Sequence, residues 1–226
     1  HLFIKKASHL FITLGSAWVY QLTDQANGYA PNFVAANNHK VPASWFTKKL
    51  LTPAEIEALY IPLVARLRNL NPGLQIIYTI SPVRHVREGM VENNRSKAAL
   101  IQVVHSLVEA DAHSYYFPAY EIVIDDLRDY RFYSEDMVHP NYHATEYVWE
   151  KFLQACTTPE TKHLIKEITA INLAAAHKPF YVHSNQHQQF VHKTIEKIEA
   201  LSAQYPYLDW SKQLELLKAQ LLPYII

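Results

Sequence analysis

Leu10-Phe11-Ile12-Thr13-Leu14-Gly15-Ser16 decides the fold. Its first five residues are apolar or β-branched and Gly15-Ser16 halts the run, the pattern of a strand buried on both faces of a sheet. The pattern returns as Gln75-Ile76-Ile77-Tyr78-Thr79-Ile80, stopped by Ser81-Pro82, and as Ser114-Tyr115-Tyr116-Phe117 before Pro118. Helices separate these runs. Thr52-Pro53-Ala54-Glu55 is a capping box with proline at the first helical position, and Ile56, Leu59, Tyr60, Leu63, Val64 and Leu67 follow at helical spacing as far as Asn71-Pro72-Gly73. A second helix begins near Glu92 and carries Leu100, Val103, Val104, Leu107 and Val108 on one stripe. Residues 121–127 read as one or two helical turns and residues 142–156 as another helix. Strands alternating with helices predict a parallel sheet with crossover connections. Three strands make a thin parallel sheet, so at least one more is expected from outside this chain.

Outward from that core, residues 21–51 carry Asn27-Gly28, Pro31 and Pro42 and read as a long excursion or hairpin. Thr158-Pro159 opens an all-helical remainder over residues 160–177, 185–204 and 211–222. The expected division is an α/β domain over residues 1–156 and a helical extension over residues 157–226 packed on it.

Composition removes several classes of function. The 226 residues balance 21 Lys+Arg against 21 Asp+Glu, so no long-range field draws phosphate backbones, and nucleic acid is not an expected partner. The four glycines, at 15, 28, 73 and 89, are too far apart for either common phosphate-cradling motif. The apolar stretch over residues 10–20 falls short of the roughly 20 residues that span a bilayer, so no membrane segment is expected. A single cysteine, Cys156, allows no intrachain disulfide and favours a reducing compartment, the cytoplasm. The chain opens on His1 rather than Met, and its native start is expected upstream.

In an open parallel sheet, ligands bind at the carboxyl ends of the strands. Gly15-Ser16-Ala17-Trp18, Ser81-Pro82-Val83-Arg84-His85 and residues 120–139 arrive there. The last contains Ser134-Glu135-Asp136-Met137-Val138-His139-Pro140. An Asp three residues before a His on a loop entering a helix can hold one imidazole nitrogen and free the other as a general base. The competing reading is a surface Asp beside a helix-capping His. Asp136, His139 and His143, with His39 or His85 approaching, also permit a metal-site reading. Arg84 and His85 are candidates to contact substrate, with Glu88 or Glu92 as ordinary ion-pair partners for Arg84. Tyr115, Tyr116, Phe117, Tyr120, Tyr130, Phe132 and Tyr133 read mainly as core, with sugar stacking as the alternative.

Residues 10–20 (LFITLGSAWVY), 36–42 (ANNHKVP), 79–97 (TISPVRHVREGMVENNRSK), 116–121 (YFPAYE) and 127–141 (LRDYRFYSEDMVHPN) together resemble the GSCFA-domain family, bacterial relatives of the SGNH/GDSL hydrolases. The resemblance implies a flavodoxin-like three-layer α/β sandwich, truncated here at its N-terminus, and ester hydrolysis without a cofactor by a serine, with Asp136 orienting His139. A small-molecule or glycan ester is the implied substrate. The Gly-Ser-Cys-Phe-Ala block that names the family has no counterpart in these residues, so the nucleophile is expected upstream. Gly15 matches the position after the family's third strand, and Ala17-Trp18 replaces the Asn-Asp found there in the wider superfamily. Asn37 is the candidate replacement oxyanion donor, with a turn-capping role beside it. Ser16 reads as a strand-end turn residue rather than a nucleophile. Two further readings stand alongside: a non-catalytic carbohydrate- or ligand-binding module on the same scaffold, and a metal-dependent hydrolase.

Overall fold

The computed structural model describes residues 2–26, 28–30, 32–36, 40–181 and 184–221. The chain falls into two units, His1–Ala155 and Cys156–Ile226.

In the first unit a short helix α1 (Leu2–Lys6) leads into strand β1 (His9–Leu14), which pairs in parallel with β5 (Gln75–Ile80), itself parallel to β6 (Ser114–Phe117). Register runs from His9 opposite Gln75 to Leu14 opposite Ile80, and from Ile76 opposite Ser114 to Thr79 opposite Phe117. Side chains alternate across the sheet. Leu10, Ile12 and Leu14 with Ile76, Tyr78 and Ile80 pack against helices α2 (Pro53–Leu70) and α3 (Met90–Ala110). On the opposite face Ile77 and Phe117 pack against Val148 and Phe152 of α5 (Tyr142–Cys156). The sandwich is therefore three-layered, as expected. The capping box of α2 forms as read, the Glu55 N–H donating to the Thr52 hydroxyl and the Thr52 N–H to the Glu55 carboxylate.

Two expectations change. First, β1 is not buried on both faces: His9, Phe11 and Thr13 are exposed, and Phe11 meets Phe152 of α5 with ring centroids 5.5 Å apart. Among the described residues β1 pairs only with β5, so it is an edge strand with half its backbone groups unclaimed. Second, the stretch over residues 21–51 is partly ordered as a second sheet. Strand β2 (Trp18–Leu22) pairs antiparallel with β3 (Val34–Ala35) on one side and β4 (Phe46–Leu50) on the other. This small sheet stands at the carboxyl end of β1. After β6, residues 119–126 form a short helix, α4 (Ala119–Glu121), that widens into a π turn over Ile122–Asp126.

The second unit packs α6 (Pro159–Ala176), α7 (Asn185–Gln204) and α8 (Ser211–Lys218) around Ile171, Val191, Ile198, Trp210 and Leu217. Thr158 and Ser184 cap α6 and α7 through their hydroxyls. The last helix ends at Lys218, short of the expected residue 222, which lies outside the described residues. No described helix is long and apolar enough to cross a membrane.

Ile76 is completely buried between β1, β6 and the α2–α3 layer, whereas Leu59 on α2 is 62% exposed. Ile76→Ala is expected to lower unfolding free energy by about 2–5 kcal/mol and Leu59→Ala by less than about 0.5 kcal/mol. Urea denaturation measures both.

Candidate active site

The carboxyl ends of β1 and β5 are joined by a residue of α3. The last backbone rung is Ser81 N–H to Leu14 O, 2.9 Å. Beyond it the ammonium of Lys97 donates to Gly15 O and Ser81 O, each at 2.6 Å. Lys97 is 1% exposed, and burial brings its pKa down to about 8 from 10.5. Ser96, one residue earlier, accepts the Ala17 N–H at 2.7 Å, and Asn93 accepts the His85 N–H at 2.8 Å. One face of α3 thus anchors both strand-end loops. None of these three residues was singled out in the sequence. The available signal was spacing: Asn93, Ser96 and Lys97 fall on the same stripe as Leu100, Val103 and Leu107, so polar groups had to be buried there.

Ser16 is a turn residue. Its hydroxyl accepts from the Trp18 N–H at 3.1 Å and shares a hydrogen bond with Ser96 at 3.3 Å. Gly15 lies against His85: a Cβ there would stand 3.4 Å from His85 Nε2. Burial, then the Lys97 charge, holds the His85 imidazole below its usual pKa. A cleft of about 210 Å³ opens here, lined by Ser16, Trp18, Tyr20, Lys48, His85, Arg87 and Glu88.

The loop after β6 brings Asp136 and His139 together. Asp136 Oδ1 accepts the N–H groups of Val138 (2.9 Å) and His139 (3.0 Å), and Oδ2 lies 2.6 Å from His139 Nδ1. These interactions, the His139 backbone N–H first and its imidazole next, hold the Asp136 carboxyl down at about 2. Nε2 of His139 meets no hydrogen-bond partner among the described residues. Both side chains are open to water, 59% exposed for His139 and 48% for Asp136. The loop is closed by Tyr133 pairing with Pro140 and by Asn141, whose amide donates to Arg131 O (2.6 Å) and whose Oδ1 accepts the Ala144 N–H (3.2 Å). Asn141, not His139 or Pro140, caps α5, because α5 begins at Tyr142.

Arg84 ties this loop to the end of β5. Its N–H donates to Val138 O (3.3 Å), its guanidinium donates to Met137 O (3.0 Å), and it stacks 4.1 Å from the Tyr133 ring centroid. The expected ion pairs with Glu88 or Glu92 do not form. Glu88 pairs with Lys48 and Glu92 with Arg95. Of the seven aromatic residues, Phe117 and Tyr133 are core and Tyr115 and Tyr130 are exposed. Asn37 and His39 lie outside the described residues. Among the described residues no three His, Cys, Asp or Glu side chains gather closely enough to hold a metal ion, so the grouping of Asp136, His139, His143 and His85 is not assembled.

Because the folded Asp136 carboxyl titrates at about 2 rather than 3.8, its contribution to stability is complete above pH 3.8 and disappears as pH falls through about 2. A carbon-detected NMR titration is expected to put the Asp136 carboxyl midpoint near 2, and His139→Ala to raise it.

Two family models match the chain: the GSCFA family over residues 1–152 and the C-terminal domain of GSCFA domain proteins over residues 168–223. No curated protein and no solved structure matches it. A match over more than half the chain, on a three-layer α/β unit followed by helices, places this protein in the GSCFA family.

Proposed function

We propose that this protein is a serine hydrolase of the SGNH type acting on an ester, a carbohydrate acyl ester being the substrate class its family resemblance suggests. Asp136 and His139 are the acid–base pair. The supporting observation is the 2.6 Å contact between Asp136 Oδ2 and His139 Nδ1, which leaves Nε2 unclaimed and outward. In the proposed reaction Nε2 takes the proton of a serine hydroxyl as its oxygen attacks the ester carbonyl. The same proton passes to the departing alcohol, and water, activated by Nε2 in turn, cleaves the acyl-serine. Asp136 stabilises the imidazolium that forms between these transfers.

No described hydroxyl is hydrogen-bonded to the His139 imidazole. The unclaimed outer edge of β1 supports a nucleophile carried by a further strand, from residues outside this chain, seated on that edge. Gly15 lies against His85, which lines the cleft beside Ser16, and Arg84 holds the His139 loop. Gly15 and Asn37 remain the candidates for the oxyanion side.

A second reading has one observation in its favour. With no hydroxyl hydrogen-bonded to the His139 imidazole among the described residues, the unit can serve as a ligand- or carbohydrate-binding module without chemistry.

A fluorophosphonate probe separates the two when applied to a longer chain that includes the preceding residues. The hydrolase reading expects one labelled serine upstream of residue 1. It further expects His139→Ala to slow both labelling and ester turnover by about 10²–10⁴-fold. Unchanged turnover in His139→Ala, or no labelled serine, favours the binding module.

A further inference from the structure

The chain has two methionines, Met90 and Met137, and both line one cleft of about 400 Å³ with Arg84, Val86, Tyr130, Asp136 and Val138. They come from different elements, the start of α3 and the His139 loop, and are 48% and 51% exposed. Val86 beside them is 42% exposed. These apolar side chains gather in one cleft beside the Asp136 carboxylate.

The lining is mostly apolar, Met90, Met137, Val86 and Val138 standing against Arg84, Asp136 and Tyr130, and two of its polar groups are engaged within the loop. Asp136 accepts two backbone N–H groups and faces the His139 imidazole. Arg84 donates to Met137 O and stacks between Tyr133 and Tyr130, 4.1 and 5.6 Å from their ring centroids. What dominates the wall is thioether, methyl and ring surface. A hydrocarbon chain suits a wall made chiefly of such surface. Met137 also has φ of 57°, in the left-handed region that an unbranched non-glycine side chain seldom adopts. Arg84 holds its carbonyl in that conformation. Methionine is suited to such a wall because its thioether reshapes around chains of different length.

We propose that this cleft receives the acyl chain of the ester, so that the enzyme prefers apolar acyl groups of several carbons to acetyl. This rests on the hydrolase reading for its chemistry, but the cleft can be tested without turnover. In the 226-residue chain, [methyl-¹³C]methionine gives two NMR signals, assigned through Met90→Leu and Met137→Leu. Hexanamide, a neutral mimic of the acyl half, is expected to shift both signals saturably, and acetamide at the same concentration to shift neither. The proposal is overturned if hexanamide shifts neither signal, or if both amides act alike. Signals that broaden with protein concentration before ligand is added also overturn it, by making a second copy of the chain the occupant.

In the longer, active chain, kcat/KM for p-nitrophenyl esters should rise about fourfold per methylene from acetate to hexanoate. Met90→Glu should flatten that series. A flat series in the unmodified enzyme sinks the acyl placement. Methyl shifts without turnover of any ester support the cleft and count against the hydrolase reading alone.

Discussion

A buried ammonium organises the first unit. Lys97 reaches from α3 to the point where β1 and β5 stop pairing and donates to both strand-end carbonyls, Gly15 O and Ser81 O. A parallel ladder would otherwise run on or fray there. Lys97 ends it at a fixed place, and Ser96 and Asn93 on the same helical face fix the two loops that leave it. Desolvation works against the charge, as the fall of its pKa to about 8 shows. Because the folded pKa lies below the free value of 10.5, the ammonium opposes folding below pH 8, and that opposition lifts as pH rises from about 8 to 10.5. A methionine there would pack without this cost but would leave two carbonyls without donors.

The other half of the crevice hangs on that foundation. Once Ser81 is fixed, the chain continues to Arg84, which donates its backbone N–H to Val138 O and its guanidinium to Met137 O. The Asp136–His139 pair is local, formed within four residues, but its position relative to the sheet is set by Arg84. The strained Met137 conformation and the apolar cleft follow from the same grip. A short chain of contacts therefore runs from α3 through the end of β5 to His139. Each link is a hydrogen bond to a backbone carbonyl or N–H, which tolerates little displacement.

Much of the scaffold was legible in the sequence because its signals are local. Thr52-Pro53-Ala54-Glu55 specifies its own helix start, and β6 occupies Ser114–Phe117 as read. The Asp136–His139 contact follows from a three-residue spacing. What escaped depends on distant partners. Phe11 looks like core until β1 is known to be an edge. Strand β4 carries Lys48 and Lys49 in succession, which obscures its alternation, and they are accommodated only because Glu88 and Glu55 meet them. Arg84 looked like an ion-pair residue because its carboxylate neighbours are close in sequence, whereas its true acceptor, Met137 O, is a backbone atom 53 residues away. Lys97 was invisible because a lysine on a helix ordinarily faces water.

In the proposed mechanism Asp136 holds the His139 proton on Nδ1 and leaves Nε2 bare. Long-range ¹H–¹⁵N correlation spectra of the imidazole at neutral pH read this directly. The Nδ1–H tautomer is expected for His139, and its loss in Asp136→Ala. A proton found on Nε2, with Nδ1 bare, would contradict it.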